Sequence, residues 1–457
     1  MPSQTYSNTL EMIGHTPLVA VRHLDTGPCE LFLKLENQNP GGSIKDRVGL
    51  YLIEAAERGG QLEPGGTLIE ATAGNTGLGL ALVAGQKGYR LILVIPDKMS
   101  QEKIFHLKAM GAEVILTRSD VSKGHPEYYR DVAERLARET PHSFFVNQFS
   151  NPANPKAHEE TTAPEIWEQT GQQLDAVICG VGTGGTMTGL ANYFAQVAPR
   201  VEMVLADPAG SILAGYAKTG QVSPAQGSWL VEGIGGDSIP PVADFSHVKS
   251  TYTIPDAESF KTCRELLIKE GIIAGTSTGT LLAAALRYCR EQKSAKRVVT
   301  FVCDSGNKYL SKVYNDYWML DQGFLERERF GDLRDLIARR AWEHAAVTVN
   351  ATEQVMAAYR RMKLYDISQI PVMQDGRIVG IVDEEDILLE VVENPRHFNE
   401  PVTQAMQPHL VTVPVDAPVS QLMEIFNRGM VAIVMRGNEF QGLVTRIDLL
   451  NWLRRRQ

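Results

Sequence analysis

The sequence predicts an α/β protein: two subdomains, each an open and mostly parallel sheet, followed by a tandem α/β module. Three observations carry this expectation. Short β-rich runs alternate with longer amphipathic or alanine-rich segments from about Leu10 to Asp316. Glycine-rich segments repeatedly stand where a strand or loop enters a helix. Beyond Glu343 the chain repeats itself. Strand–helix alternation implies parallel sheets covered on both faces, with ligands at the carboxyl ends of the strands.

The β-rich runs lie at residues 67–71, 90–95, 113–117, 175–179, 202–206 and 298–302, the second reading Arg90-Leu-Ile-Leu-Val-Ile95. Between and beside them, residues 48–56, 78–87, 101–110, 128–139, 187–195 and 281–288 carry helical patterns. Near Phe324 the character changes, and the charge-dense stretches 326–329 and 332–340 predict a solvated linker helix over 326–342. In the repeat, Gly380-Ile-Val-Asp383-Glu-Glu-Asp386-Ile-Leu388 aligns with Gly442-Leu-Val-Thr445-Arg-Ile-Asp448-Leu-Leu450. Upstream, Val347-Thr-Val349 aligns with Val411-Thr-Val413. One copy alone is too small to bury a core well, so two should pack on each other and leave a ligand cleft between them. The expected organisation is a catalytic domain over 1–325, a linker over 326–342 and the duplicated module over 343–457, with copies at about 343–400 and 401–457.

Composition excludes several classes of function. A chain of 457 residues with 43% hydrophobic and 22% charged residues is an ordinary globular one. A formal charge of −9 argues against nucleic acid or an anionic membrane surface as partner. The basic end, Arg454 to Arg456, suits the carbonyl end of a last helix. The amino terminus has no signal-like pattern and no apolar run is long enough to span a bilayer. The five cysteines show no C-x-x-C pairing and read as reduced, mostly buried thiols of a cytoplasmic protein. No metal site is expected.

The candidate chemistry sits in the glycine-rich segments. In Asn39-Pro-Gly-Gly-Ser-Ile-Lys45-Asp-Arg47, two glycines let the backbone approach a flat ligand, and the lysine stands where a helix begins. A lysine held there and partly desolvated can form a Schiff base with an aldehyde cofactor. Thr72-Ala73-Gly74-Asn75-Thr76-Gly77 reads either as a capped turn or as a carboxylate loop with an asparagine that reaches an aromatic hydroxyl. Gly180-Val-Gly182-Thr183-Gly184-Gly185-Thr186 is an anion cradle, and it also satisfies G-x-G-x-x-G, with Asp207 near the end of the following strand. A nicotinamide dehydrogenase is the rival this raises, although it leaves the lysine and asparagine loops unexplained. Ser277, in Gly275-Thr-Ser-Thr-Gly279, is a helix cap or a hydroxyl facing a ring nitrogen. Together these segments describe a pyridoxal 5'-phosphate site.

Gly41 to Arg47, Thr72 to Gly77 and Gly182 to Thr186 resemble the fold-type-II pyridoxal-phosphate enzymes of the β-replacement family, the cysteine synthases and cystathionine β-synthases. Gly14-His-Thr-Pro-Leu18 and Glu232-Gly-Ile-Gly235 extend the resemblance over about Leu10 to Phe324. Asp304-Ser305 with the segment from Asn307 to Met319, Glu232, and the terminal repeat resemble the cystathionine β-synthase branch and its CBS-type (Bateman) regulatory pair.

The resemblance implies that Lys45 is the Schiff-base lysine and Cα proton shuttle, Asn75 bonds the cofactor hydroxyl, Gly182, Thr183, Gly184, Gly185 and Thr186 hold its phosphate, and Ser277 meets the pyridine nitrogen. Thr72, Ala73, Gly74, Thr76 and Gln148, with Glu232, would serve the substrate. It further implies condensation of L-serine with L-homocysteine to cystathionine through an aminoacrylate, in a homodimer or homotetramer without haem. A neutral serine at the pyridine nitrogen makes the ring a weaker electron sink, which favours loss of the β-substituent over a long-lived carbanion. Cysteine synthase, using O-acetylserine or serine with sulfide, is the alternative within the family, and a non-catalytic ligand sensor is one outside it. The chain departs from the family at Ala73, Phe149 and Gly236, where serine and two tyrosines are usual; the last two bear on the second substrate. In the terminal module, relatives bind S-adenosylmethionine or adenine nucleotides through a threonine and an aspartate, here Thr445 and Asp448. Asp383 takes the threonine's place in the first copy and would repel a phosphate-bearing ligand.

Overall fold

The computed structural model describes residues 5–72, 74–97, 101–121, 124–223 and 227–455. The chain divides into two compact units between Asn315 and Asp316. In the first unit, one sheet has the order Leu18–Ala20, Glu30–Lys34, Arg297–Phe301, Ala176–Cys179, Glu202–Pro208 and Val248–Ile254. Its first pair is antiparallel and every other pair is parallel. The second sheet has the order Glu113–Thr117, Arg90–Pro96, Thr67–Ala71 and Ser143–Phe145, all parallel. The expected α/β architecture of two mostly parallel sheets is what the chain forms, and all six expected strands are present within two residues at either end. Leu18–Ala20, Glu30–Lys34, Ser143–Phe145 and Val248–Ile254 were not foreseen; the partly exposed patterns of Leu18–Ala20 and Ser143–Phe145 show how short, half-covered runs escape a hydrophobic search.

The helices differ from expectation in a way that matters for function. They begin earlier: Lys45–Arg58, Asn75–Lys87, Gly185–Val197 and Thr276–Glu291. Lys45, Asn75, Gly185 and Ser277 therefore lie in the first turns of helices, where backbone N–H groups have no intrahelical partner. The lysine and asparagine helices touch backbone to backbone. A Cβ on Gly49 would come within 2.6 Å of the Gly79 carbonyl carbon, and one on Gly79 within 2.5 Å of the Lys45 carbonyl oxygen. These two glycines set the spacing of the lysine and asparagine loops.

A buried charge cluster fixes the lysine helix from its other side. Arg47 donates twice to Glu36, at 2.8 and 2.8 Å, and twice to Glu165, at 2.7 and 2.7 Å. Lys34 adds a 2.8 Å bond to Glu165. Burial by itself would raise the Glu165 carboxyl, but Arg47 and Lys34 hold it down at about 2. Balanced and fully hydrogen-bonded, such a cluster withstands its desolvation cost; removing one member would leave an unpaired buried charge.

The second unit contains two three-stranded sheets of the same design. Val349–Asn350, Gln369–Gln374 and Arg377–Asp383 form one; Thr412–Pro414, Ala432–Arg436 and Glu439–Val444 form the other. Each pairs its first two strands parallel and its last two antiparallel, with a register shift at Val372/Met373 in one and at Val434/Met435 in the other. Each sheet has its own buried cluster.

The expected linker helix over 326–342 is not formed. That stretch is irregular apart from the short 3-10 turns Leu333–Leu336 and Ala341–Glu343. Leu333, Leu336 and Ile337 have helical spacing but are buried against the second copy's core. The Asp332 side chain accepts from the Arg334 N–H and the Asp335 carboxylate from those of Phe330 and Gly331, so local side-chain bonds replace a helical ladder. The division at Asn315/Asp316 likewise precedes the expected boundary at residue 325. All five cysteines are free. Among the described residues no helix is long and apolar enough to cross a membrane, and no group of acidic, cysteine and histidine residues is arranged to hold a metal.

Candidate active site

The carboxyl ends of the first unit's strands open on a cleft of about 580 Å³. Lys45, Thr72, Gly74, Asn75, Thr76 and Gln148 line it on the side of the four-stranded sheet. Gly182, Thr183, Gly184, Thr186 and Ser277 line it on the side of the six-stranded sheet. Segments that lie far apart in sequence thus converge on one space. Burial pushes the Lys45 amine below the usual lysine range, against the pull of Cys303, Asp304 and Glu36. The neutral amine, the form able to act as nucleophile and base, is therefore favoured.

The loop before Gly185–Val197 is shaped for an anion. Gly184 has a φ of 94°, open to glycine at little cost. A Cβ on Gly182 would lie 2.3 Å from the Gly233 carbonyl oxygen, and one on Gly185 only 1.9 Å from Asn154 Oδ1. Glycine is thus demanded by the cradle itself. Asn154 Nδ2 donates to Thr183 Oγ1 at 2.9 Å and to the Gln148 carbonyl at 2.9 Å, while its buried Oδ1 has no partner among the described residues. Thr186 Oγ1 lies 3.3 Å from His158 Nε2. Burial, then the charges of Lys45 and Arg47, push His158 well below the ordinary histidine range, so it stays neutral. His158 opens a π-helical turn, His158–Thr162, that interrupts an otherwise α-helical stretch. Nothing in the local sequence marked Asn154 or His158, because each serves a loop some thirty residues away.

The substrate loop is equally neutral. Thr76 Oγ1 donates to Gln148 Oε1 at 2.6 Å, and Thr72 Oγ1 accepts from the Gly74 N–H at 3.3 Å. Ala73 lies outside the described residues. Ser277 is not the helix cap, a place taken by Gly275; it is buried inside the first turn, lines the cleft and bonds the Cys303 thiol. Burial, then Asp304, raises that thiol to about 12, so Cys303 is no thiolate.

Two of the expected site residues already have protein partners. The Asn75 amide is engaged by protein groups, its Nδ2 donating to Asp304 at 2.8 Å and its Oδ1 accepting from Lys308 at 2.8 Å. Asp304 also accepts from the Tyr309 hydroxyl at 2.8 Å. Glu232 does not line the cleft: its carboxylate bonds Lys312 at 2.7 Å and also meets Lys103, because two cations compete for it. The acid that a dehydrogenase would need is likewise committed. Asp207 is buried and accepts from the Ala214 N–H at 2.8 Å.

The second unit has its own cleft, of about 510 Å³, lined by Arg339, Asp366, Met430, Thr445 and Asp448 among others. Asp448 accepts from the Thr445 N–H at 2.8 Å and hydroxyl at 2.5 Å. In the first copy, Asp383 and Asp386 bond each other's N–H groups at the start of Glu384–Glu393.

Such a site, on two mostly parallel sheets, defines a pyridoxal-phosphate-dependent enzyme. The family model described as "Pyridoxal-phosphate dependent enzyme" matches residues 9–304, and the CBS domain model matches residues 341–393 and 402–455. Cystathionine beta-synthase of Dictyostelium discoideum is 36% identical, over 98% of this chain and 93% of its own length. Cysteine synthase 1 of Emericella nidulans is 40% identical, but over 70% of this chain and 88% of its own length. The crystal structure of a hydrogen sulfide-producing enzyme from Fusobacterium nucleatum superposes with a TM-score of 0.62 at 38% identity, covering 67% of this chain and 100% of that one. The chain belongs to the pyridoxal-phosphate-dependent enzymes, in the cystathionine β-synthase family, and carries a pair of CBS domains.

Proposed function

We propose that this enzyme condenses L-serine with L-homocysteine, releasing water and cystathionine. The observation that supports this reading most directly is the convergence of Lys45, the Gly182–Thr186 cradle and the Thr72–Thr76 loop with Gln148 on one cleft. The full-length relationship to cystathionine β-synthases, against a partial one to cysteine synthase, supports homocysteine over sulfide as second substrate.

The residues present fit pyridoxal phosphate. Its phosphate would rest on the 182–186 cradle at a positive helix end, its ring nitrogen would meet Ser277, and its hydroxyl would draw Asn75 away from Asp304 and Lys308. When bound, the cofactor supplies the electron sink that eases loss of the Cα proton and the β-hydroxyl. The chain does the rest. Thr72, Gly74, Thr76 and Gln148 hold the serine carboxylate by neutral hydrogen bonds. Lys45 Nζ, whose burial favours loss of its proton, takes the Cα proton and then returns one to the departing hydroxyl oxygen.

In the second unit, we propose that the cleft beside Thr445 and Asp448 takes S-adenosylmethionine or an adenine nucleotide. Comparing cystathionine formation from serine plus homocysteine with cysteine formation from O-acetylserine plus sulfide tests the reaction. Higher kcat/KM for the first pair is expected, and absence of cystathionine would sink the proposal. A rise in Tm with either adenosyl ligand tests the second cleft; no shift with both would refute it.

A further inference from the structure

The catalytic cleft carries one cation and one anion that the chemistry above leaves unused. Arg130, second residue of the helix Tyr129–Glu139, lines the cleft. Its guanidinium carbon lies 3.9 Å from the centroid of the Phe149 ring, and its Nε donates to the Tyr129 hydroxyl at 3.0 Å. Stacking uses the face of the guanidinium and leaves its terminal N–H groups directed outward in the fork that matches a carboxylate. Asp237, in the stretch between Gly236 and Pro241, lines the same cleft and is exposed. Neither Arg130 nor Asp237 forms an ion pair with another described residue, or with each other. Yet both act on one phenol: burial and Tyr129 push Tyr128 up to about 12, with Arg130 opposing and Asp237 adding to the rise. Two unpaired opposite charges therefore share one part of a cleft whose other polar groups are largely neutral.

We propose that Arg130 and Asp237 form a subsite for a second amino acid, Arg130 taking its α-carboxylate and Asp237 its α-ammonium. The subsite rests on the reaction proposed above, in which a thiol-bearing amino acid follows serine. It separates the two substrates by charge. The first is held by neutral donors beside Gln148, the second by a zwitterion match near Phe149 that leaves the thiol directed inward. A thiol without an amino-acid end gains nothing there, so the subsite sets specificity. The bland role for Arg130, pinning its helix to Phe149, would not distinguish one nucleophile from another.

The test uses the holoenzyme with Arg130→Gln, Arg130→Lys and Asp237→Asn. For Arg130→Gln, the ratio of kcat/KM for homocysteine to that for sulfide should fall about 10- to 100-fold, the scale of a charge-assisted hydrogen-bond pair. Arg130→Lys should recover part of that ratio. Asp237→Asn should abolish the preference for homocysteine over 4-mercaptobutyrate, which lacks the ammonium. A fall with both nucleophiles alike, or an unchanged ratio, would overturn the subsite. Calorimetric titration of homocysteine without serine reads the same site without turnover. If the native enzyme makes no cystathionine, the proposed reaction fails; the subsite is then refuted only if Arg130→Gln leaves the homocysteine Kd unchanged.

Discussion

The two clefts use helix starts in opposite ways. In the catalytic unit, Lys45–Arg58, Asn75–Lys87, Gly185–Val197 and Thr276–Glu291 all begin without a side-chain cap. Residues of all four first turns line the cleft, where positive dipole ends suit phosphate and carboxylate, although the Ser43 hydroxyl already accepts from the Lys45 N–H. In the second unit, the helices after Asp383 and Thr445 are closed by their own side chains. An uncapped start forgoes about 1 kcal/mol of local stability, so four of them in one cleft mark a site completed by its ligands. A capped start leaves any ligand there to side chains and apolar walls.

The largest effect that would break this contrast is at Lys45. Lys45→Ala should lower turnover by at least about a thousandfold and remove the cofactor's visible absorbance, since among the described residues no other lysine lines the cleft. Retention of both would place the chemistry elsewhere. Next comes the cradle. Gly185→Ala puts a methyl where only 1.9 Å separates it from Asn154 Oδ1, and cofactor affinity, followed by equilibrium dialysis, should weaken about 100-fold. An unchanged affinity would show that the phosphate sits elsewhere.

A smaller effect sharpens the electrostatic side. Burial raises the Glu70 carboxyl to about 7, although the Gln148, Ala71 and Asn147 N–H groups pull the other way. Between pH 4.5 and 7 the unfolded chain ionises this group while the folded one keeps its proton, so stability falls as pH rises. Glu70→Gln should therefore gain about 1–3 kcal/mol relative to the native chain on going from pH 4.5 to pH 8, read by denaturant unfolding. A gain that shrinks with pH would reverse the sign and refute the assignment. Smallest is Thr445→Ala, expected to cost about 1 kcal/mol in the second unit; no change in its unfolding would mean that the capping bonds contribute nothing.

Much of this was legible in the sequence because glycines and strand–helix alternation are local signals. The six expected strands, the four loops and the repeat all follow from them. Asn154, His158 and Arg130 were not legible, since their roles arise only when distant segments meet. The Glu36–Arg47–Glu165 cluster escaped for the same reason. The Asn75 loop was legible, but not the partners of its amide, Asp304 and Lys308, which come from more than two hundred residues downstream. The linker failed differently: Leu333, Leu336 and Ile337 mimic a helical stripe, while aspartate side chains bonding the backbone make a turn cheaper.

The most direct measurement is borohydride reduction of the purified holoenzyme followed by peptide mapping. A pyridoxyl group on Lys45 alone is the expected result. A label on any other lysine, or no label, would contradict the account.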